Sequence, residues 1–281
     1  MGNTRVHRRL EGFYGELTSV EAILRARARD GQEAGTVTAA DLYTRSLDCQ
    51  NLGGFALLER HAALAAAYRA LGAGTRVLDA GCGLGGPGRY LADRCGCAVI
   101  GVDVLPARVQ AAAALTRLVG LGDRVAYGQA DTTRLPFTAP QFAQAWMLDV
   151  SIHIANKAVL FGELARVVHA DGLLVLHDQL GPLPPAMRPV TRRAPYIAPA
   201  LPRLVRYVEG AGFRVLTWRD TTETVLTHMH GRREELLQGV ERGTRAARQR
   251  RQRRLAMLTA YLEALGQQGS RTGICIAQRL A

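Results

Sequence analysis

From Thr75 onward, short runs rich in Val, Ile and Leu alternate with helical stretches, and no other feature narrows the fold as much. Strands are expected at 76–80, 98–104, 125–129, 142–148, 173–177 and 213–219, with a last one at 273–279. Helices are expected at 89–94, 106–119, 157–169 and 201–211. Strand–helix alternation at this spacing requires right-handed βαβ crossovers, and so a parallel sheet covered by helices on both faces. Upstream, residues 1–54 read as an irregular helical cap, with amphipathic pieces such as 16–29 broken by Asp30-Gly31 and Gly35. A helix at 56–71 then leads into the main domain, 55–281. The loop Gly181-Pro-Leu-Pro-Pro185 excludes helix, and a long helical insertion occupies about 223–266.

Composition excludes several classes. At 48% hydrophobic and 21% charged, the chain suits a globular domain with a substantial core. No apolar run approaches the roughly 18 residues of a membrane span. The opening Met1-Gly2-Asn3-Thr4-Arg5-Val6 shows neither a secretory h-region nor a myristoylation pattern. Five scattered cysteines, Cys49, Cys82, Cys95, Cys97 and Cys275, lack zinc spacing and read as reduced thiols of a cytoplasmic protein. The net charge of +12 suggests an anionic partner, yet Lys157 is the only lysine among 36 basic residues. Such a skew reflects base composition more than selection for phosphate binding. Seven arginines cluster from Arg242 to Arg254, which on a helix reads as a solvated face.

The sharpest motif is Val77-Leu-Asp-Ala-Gly81-Cys-Gly83-Leu-Gly85-Gly86-Pro-Gly88, where a strand ends and a helix begins. Glycine is needed where the chain turns tightly and a ligand approaches bare backbone. The run satisfies G-x-G-x-x-G, with Asp103 placed 22 residues beyond Gly81, so a dinucleotide-binding dehydrogenase is a rival. Asp79 argues against it. A carboxylate two residues before the first glycine repels a pyrophosphate and suits an ammonium. Asp131 and Thr132 end a further strand, where the acid can accept from an adenine amino group. Acids for an amine, a ribose diol and an adenine match S-adenosylmethionine, which has no phosphate.

Val77 through Asp178 resembles the class I S-adenosylmethionine-dependent methyltransferases, with the motifs in order. Val99-Ile-Gly-Val-Asp103 is similar to their acidic second strand, Ala130-Asp131 to the adenine contact, and Arg166-Val-Val-His-Ala-Asp-Gly172 to the turn into the fifth strand. The resemblance implies a Rossmann-like α/β fold: a seven-stranded, mostly parallel sheet with an antiparallel last strand and a helical N-terminal cap. It places Gly81, Gly83 and Gly85 under the cofactor, Asp79 at its ammonium, Asp103 at the ribose, and Val104 and Leu148 against it. Asp48-Cys-Gln50-Asn51-Leu-Gly53-Gly54 resembles the small-molecule branch acting on sarcosine, phosphoethanolamine and tocopherol, which adds Gln50 and Asn51 to the cofactor's surroundings.

Asp149 and His153 are the expected catalytic pair. They follow the fourth strand at the carboxyl edge of the sheet, and a spacing of four shares one face if the segment is helical. A histidine near neutral pKa can take a proton from the acceptor while Asp149 orients it or holds a cationic amine. Tyr14 and Tyr43 are candidate lid residues. Arg188, Arg192, Arg193 and Tyr196 are candidates for the acceptor mouth, and His177-Asp178 for its opposite wall. No metal is expected. A nucleic-acid methyltransferase is the main alternative, supported by the arginine run but lacking an Asn-Pro-Pro-Tyr-like motif at Leu148-Asp-Val-Ser. A non-catalytic partner subunit is disfavoured by the intact glycine loop.

Overall fold

A computed structural model describes residues 4–15, 20, 23, 37–44, 48, 51–182, 185–187, 191–192, 194–238, 244–266 and 269–281. Seven strands form one sheet: β1 (Arg76–Ala80), β2 (Ala98–Asp103), β3 (Val125–Gln129), β4 (Phe142–Leu148), β5 (Val168–Leu180), β6 (Phe213–Asp220) and β7 (Arg271–Arg279). Their order is β3-β2-β1-β4-β5-β7-β6. The first five run parallel, and β7 lies antiparallel between β5 and β6. The helices are α1 (Thr4–Gly15), α2 (Ala39–Tyr43), α3 (Gly54–Ala66), α4 (Gly86–Cys95), α5 (Pro106–Leu118), α6 (Lys157–Val167), α7 (Leu201–Gly210), α8 (Thr222–Gln238) and α9 (Arg245–Gly266).

Because side chains alternate along a strand, successive residues enter opposite layers. Leu78, Ala145, Met147, Leu174 and Leu176 pack under α6 and α7, against Leu160, Phe161, Leu164 and Val208. Their neighbours Val77, Trp146 and Val175 pack on the other face, against Leu58 of α3 and Tyr90 and Leu91 of α4. The sheet reverses its winding at β1, which has β2 on one side and β4 on the other. Loops leaving the carboxyl ends of β1 and β4 therefore diverge and open a crevice between them.

The helical region expected at about 223–266 consists of two helices, α8 and α9. Two other expectations need correction. The strand expected at 173–177 runs from Val168, and α6 ends at Val167 rather than near residue 169. A register shift between Phe142 and Gln144 absorbs the turn there. Gly172 is required in that turn, since a Cβ would stand 2.8 Å from the Ala143 carbonyl oxygen. The cap is more regular than expected at its start, where Thr4–Gly15 is helical. Residues 16–29, the piece singled out from the sequence, lie almost wholly outside the described residues. Helix α1 shares one apolar cluster with the insertion: Leu10 and Phe13 pack with Val225 and Met229 of α8 and with Ala260, Tyr261 and Leu265 of α9.

Candidate active site

A cavity of about 470 Å³ opens over the carboxyl ends of β1 to β4 and is roofed by α1 and α9. Its floor is the glycine loop. Gly81, Gly83 and Gly85 all take left-handed backbone angles, with φ of 84°, 54° and 78°. At Gly81 a Cβ would also meet Val150 at 2.5 Å. Gly81 and Gly83 line the cavity, whereas Gly85 does not; it caps α4, and its missing side chain leaves room for Tyr127 and Arg89. Gly85 thus packs at the start of α4, beside the floor.

The polar groups at this edge converge as a set. Asp103 accepts from the Gly83 N–H at 3.0 Å and the Leu105 N–H at 2.9 Å, which fixes the loop beneath it. Burial holds its carboxyl above the usual range. Asp79 is buried, and its Oδ2 has no hydrogen-bond partner among the described residues. Burial pushes its carboxyl up to about 7 against the opposing pull of the Gly88 backbone N–H. Asn51 Oδ1 and Asp48 Oδ1 are likewise buried without a partner, and both residues line the same cavity. Asp48 was not foreseen as a site residue. Its other oxygen, Oδ2, is held by Arg89 Nη2 at 2.6 Å in a fully buried ion pair. Arg89 also donates to Leu84 and Ala112 carbonyls and to Thr116. Asp131 closes its own turn by accepting from Thr133, and Thr132, Val104 and Leu148 complete the wall. Gln50 lies outside the described residues.

The acceptor side is organised differently from the expectation. Asp149 and His153 do not share a helix face. Asp149 takes φ 59°, and only a single 3₁₀ turn, Ser151–His153, follows it. The two side chains therefore reach different partners. Asp149 Oδ2 accepts from the Leu52 N–H at 2.7 Å, and its Oδ1 is 2.8 Å from His177 Nδ1. So Asp149 orients His177, not His153. His177 is buried behind the cavity wall rather than in it, with Nε2 2.9 Å from the Thr221 hydroxyl and its ring against His61. Asp178 is also behind the wall; it accepts from the Ile152 N–H and steadies the turn, and burial pushes its carboxyl up to about 7.

His153 Nδ1 lies 2.6 Å from the Pro195 carbonyl oxygen and Nε2 2.7 Å from the Tyr14 hydroxyl. A carbonyl only accepts, so Nδ1 carries the proton. The Nε2 lone pair then accepts from Tyr14. Burial lowers the imidazole pKa to about 4, well below the near-neutral value expected from its type, and holds the Tyr14 hydroxyl well above its ordinary value. The neutral pair is thus the resting form.

Tyr43 does not reach the cavity. Its hydroxyl donates to Asp93 and its ring stacks on Phe55 beside α4, which removes it as a lid residue. Tyr196 stands behind His153, with its hydroxyl on Gln179 Oε1. Arg188 and Arg193 lie outside the described residues, and Arg192 is exposed, with its carbonyl accepting from Arg9. No group of His, Cys, Asp and Glu capable of holding a metal occurs among the described residues. None of their helices is long and apolar enough to cross a membrane.

The sheet order, with β7 antiparallel between β5 and β6, is the methyltransferase fold. Residues 78–176 match the family model described as a methyltransferase domain. Methyltransferase GfsG of Streptomyces halstedii is 36% identical over 106 residues, which cover 38% of this chain and 38% of that protein. The 2-methyl-6-phytyl-1,4-hydroquinone methyltransferase of Synechocystis is 38% identical over 105 residues, covering 37% of this chain and 32% of that protein. The chain spans between about a third and two fifths of the length of the curated relatives it matches. Among solved structures, phosphoethanolamine N-methyltransferase 2 of Haemonchus contortus superposes with a TM-score of 0.74 at 18% identity, over 90% of this chain and 60% of that one.

Proposed function

We propose that the protein is an S-adenosylmethionine-dependent methyltransferase acting on a small-molecule acceptor. The observation that carries this reading is the convergence over a glycine floor of three buried acceptor oxygens, on Asp48, Asn51 and Asp79, that have no partner among the described residues. Buried acceptors left unmatched cost about 1–3 kcal/mol each, so they call for a ligand rich in donors. The amino-acid end of S-adenosylmethionine supplies an ammonium for them, its ribose diol suits Asp103, and its adenine suits Asp131 and Thr132.

When bound there, the cofactor supplies a methyl group on a sulfonium, which transfers by direct displacement while the bonding pair stays on sulfur. Alignment and exclusion of water are what the chain contributes. Helices α1, α8 and α9 act together as the cover, since α1 and α9 meet above the cavity. Tyr14 and His153 move the acceptor's proton: Tyr14 Oη receives it as its own passes to His153 Nε2. The cytoplasm is the proposed compartment, a setting that fits the free thiols of Cys82, Cys95, Cys97 and Cys275.

Calorimetry with S-adenosylhomocysteine tests the reading, with micromolar binding expected. Heat with NAD and none with S-adenosylhomocysteine would restore the dehydrogenase.

A further inference from the structure

Beyond the cofactor edge the cavity wall turns apolar: Leu10 and Phe13 of α1, Leu105, Ile152, and Met257 and Tyr261 of α9. His7 of α1 also reaches the cavity, while Asp149, Arg108 and the Tyr14–His153 pair have partners inside the protein. Asp149 spends one oxygen on Leu52 and the other on His177. Arg108 donates to the Tyr14 carbonyl and lies 5.4 Å from the centre of the Tyr14 ring.

Charge points the same way. Among the described lining residues Arg108 is the sole permanent cation, set against the carboxyls of Asp48, Asp79, Asp103, Asp131 and Asp149. The only lysine of the chain, Lys157, is outside the lining, and its ammonium donates to the carbonyls of Ser151, Ile154 and Ile197. A phosphate or carboxylate on the acceptor would meet repulsion and leave its hydration shell for no replacement. A cationic amine would find, beside Asp149 with one bond already on each oxygen, only the aliphatic and aromatic wall in place of its hydration shell.

Resting on the methyltransferase reading above, we propose that the acceptor is an uncharged molecule with an apolar body, which presents a hydroxyl to Tyr14. Because Tyr14 gives its proton to His153, its oxygen lone pairs face the acceptor as proton acceptors. In the transfer, the acceptor oxygen bonds the methyl carbon and the carbon–sulfur bond breaks with its pair left on sulfur. The hydroxyl proton goes to Tyr14 Oη, and the Tyr14 proton to His153 Nε2.

The test is a titration of para-ethylphenol, para-butylphenol and para-hexylphenol into the protein loaded with S-adenosylhomocysteine, beside hexylamine, phosphoethanolamine and sarcosine. Affinity for the phenols should rise about fourfold per added methylene, the increment expected for a buried CH₂. Leu10→Asp should flatten that rise and leave S-adenosylhomocysteine affinity unchanged; Met257→Glu does the same service if the first variant fails to fold. A flat chain-length series, or tighter binding of hexylamine, phosphoethanolamine or sarcosine, overturns the acceptor class while the cofactor reading stands. If S-adenosylhomocysteine itself does not bind, that reading fails separately. The phenol series on the unloaded protein then still decides whether the chamber takes apolar guests.

Discussion

The two halves of the cavity are built on opposite plans. At the cofactor edge, buried oxygens of Asp48, Asn51 and Asp79 stand without partners among the described residues, over bare glycine backbone. On the acceptor side, Asp149, His153 and Arg108 are matched within the protein and surrounded by aliphatic and aromatic wall. One half is left incomplete until a polar ligand fills it; the other is complete and asks only for shape and an apolar surface. Unmatched polar groups impose a specific guest, because a wrong one leaves them desolvated. A satisfied apolar wall discriminates weakly, by about 1–3 kcal/mol per methylene or methyl.

The largest effect that can break this contrast lies with the Tyr14–His153 pair. His153→Ala should lower kcat by roughly 10²–10⁴-fold, the span of general acid–base contributions. S-adenosylhomocysteine affinity should stay the same in a calorimetric titration. With His153 lowered to about 4, kcat at saturating cofactor should be flat above about pH 5 and fall below it, and the variant should lack that limb. A wild-type limb near pH 6–7 would show an exposed imidazole and contradict the sealed acceptor side.

Next comes the Asp48–Arg89 bridge, which belongs to the cofactor half. Arg89→Ala removes one member of a fully buried ion pair and strands the other, so stability should drop by about 3–5 kcal/mol in denaturant titration. Chain-length dependence for apolar guests should survive in whatever fraction stays folded.

A smaller effect concerns Asp79. Its carboxyl, with an ordinary value of 3.8, is pushed up to about 7, so the folded unliganded protein holds this proton more tightly than the unfolded chain. Its contribution to stability is therefore present at low pH and lost as pH rises between those values. An ammonium-bearing ligand needs the ionised form. S-adenosylhomocysteine affinity should rise with pH by up to about tenfold per unit until about pH 7, then level off. Asp79→Asn should bind weakly and without that slope.

The smallest expected effect is on nucleic acid. The Arg242 to Arg254 run begins outside the described residues and continues into the first half of α9, while Met257 and Tyr261 of the same helix line the cavity. Duplex DNA should bind only weakly and without sequence preference in a fluorescence-anisotropy titration. Submicromolar affinity with a log–log salt slope of several units would overturn this.

The cofactor half was legible in the sequence because its chemistry sits on consecutive residues. Asp79, Gly81 and Gly83 lie in one strand–turn–helix run, and the period of the strands fixes where Asp103 and Asp131 emerge. The acceptor half was not, for two physical reasons. Asp149 and His153 are near in sequence, but a left-handed residue and a single tight turn send their side chains to separate partners, which spacing alone does not reveal. Their partners Tyr14 and His177 come from a helix at one end of the chain and a distant strand. A legible signal for α1 did exist: Val6, Leu10, Phe13 and Tyr14 fall on one helical face. Asp48 left no such trace, since nothing local announces an ion pair with Arg89.

The meeting of α1 with α8 and α9 has a consequence for how the protein is made. Helix α1 precedes every strand of the sheet in sequence, and its partners Val225, Met229, Ala260 and Tyr261 follow six of the seven. Pairing elements so far apart in sequence carries a high loop-closure cost and comes late in folding. The nucleotide-like half of the pocket can therefore take shape on a nascent chain while the roof over the acceptor still has no far wall. On the proposed reading, a partly folded chain would leave the cofactor's methyl group open to water, and only the docking of α8 and α9 on α1 closes that leak.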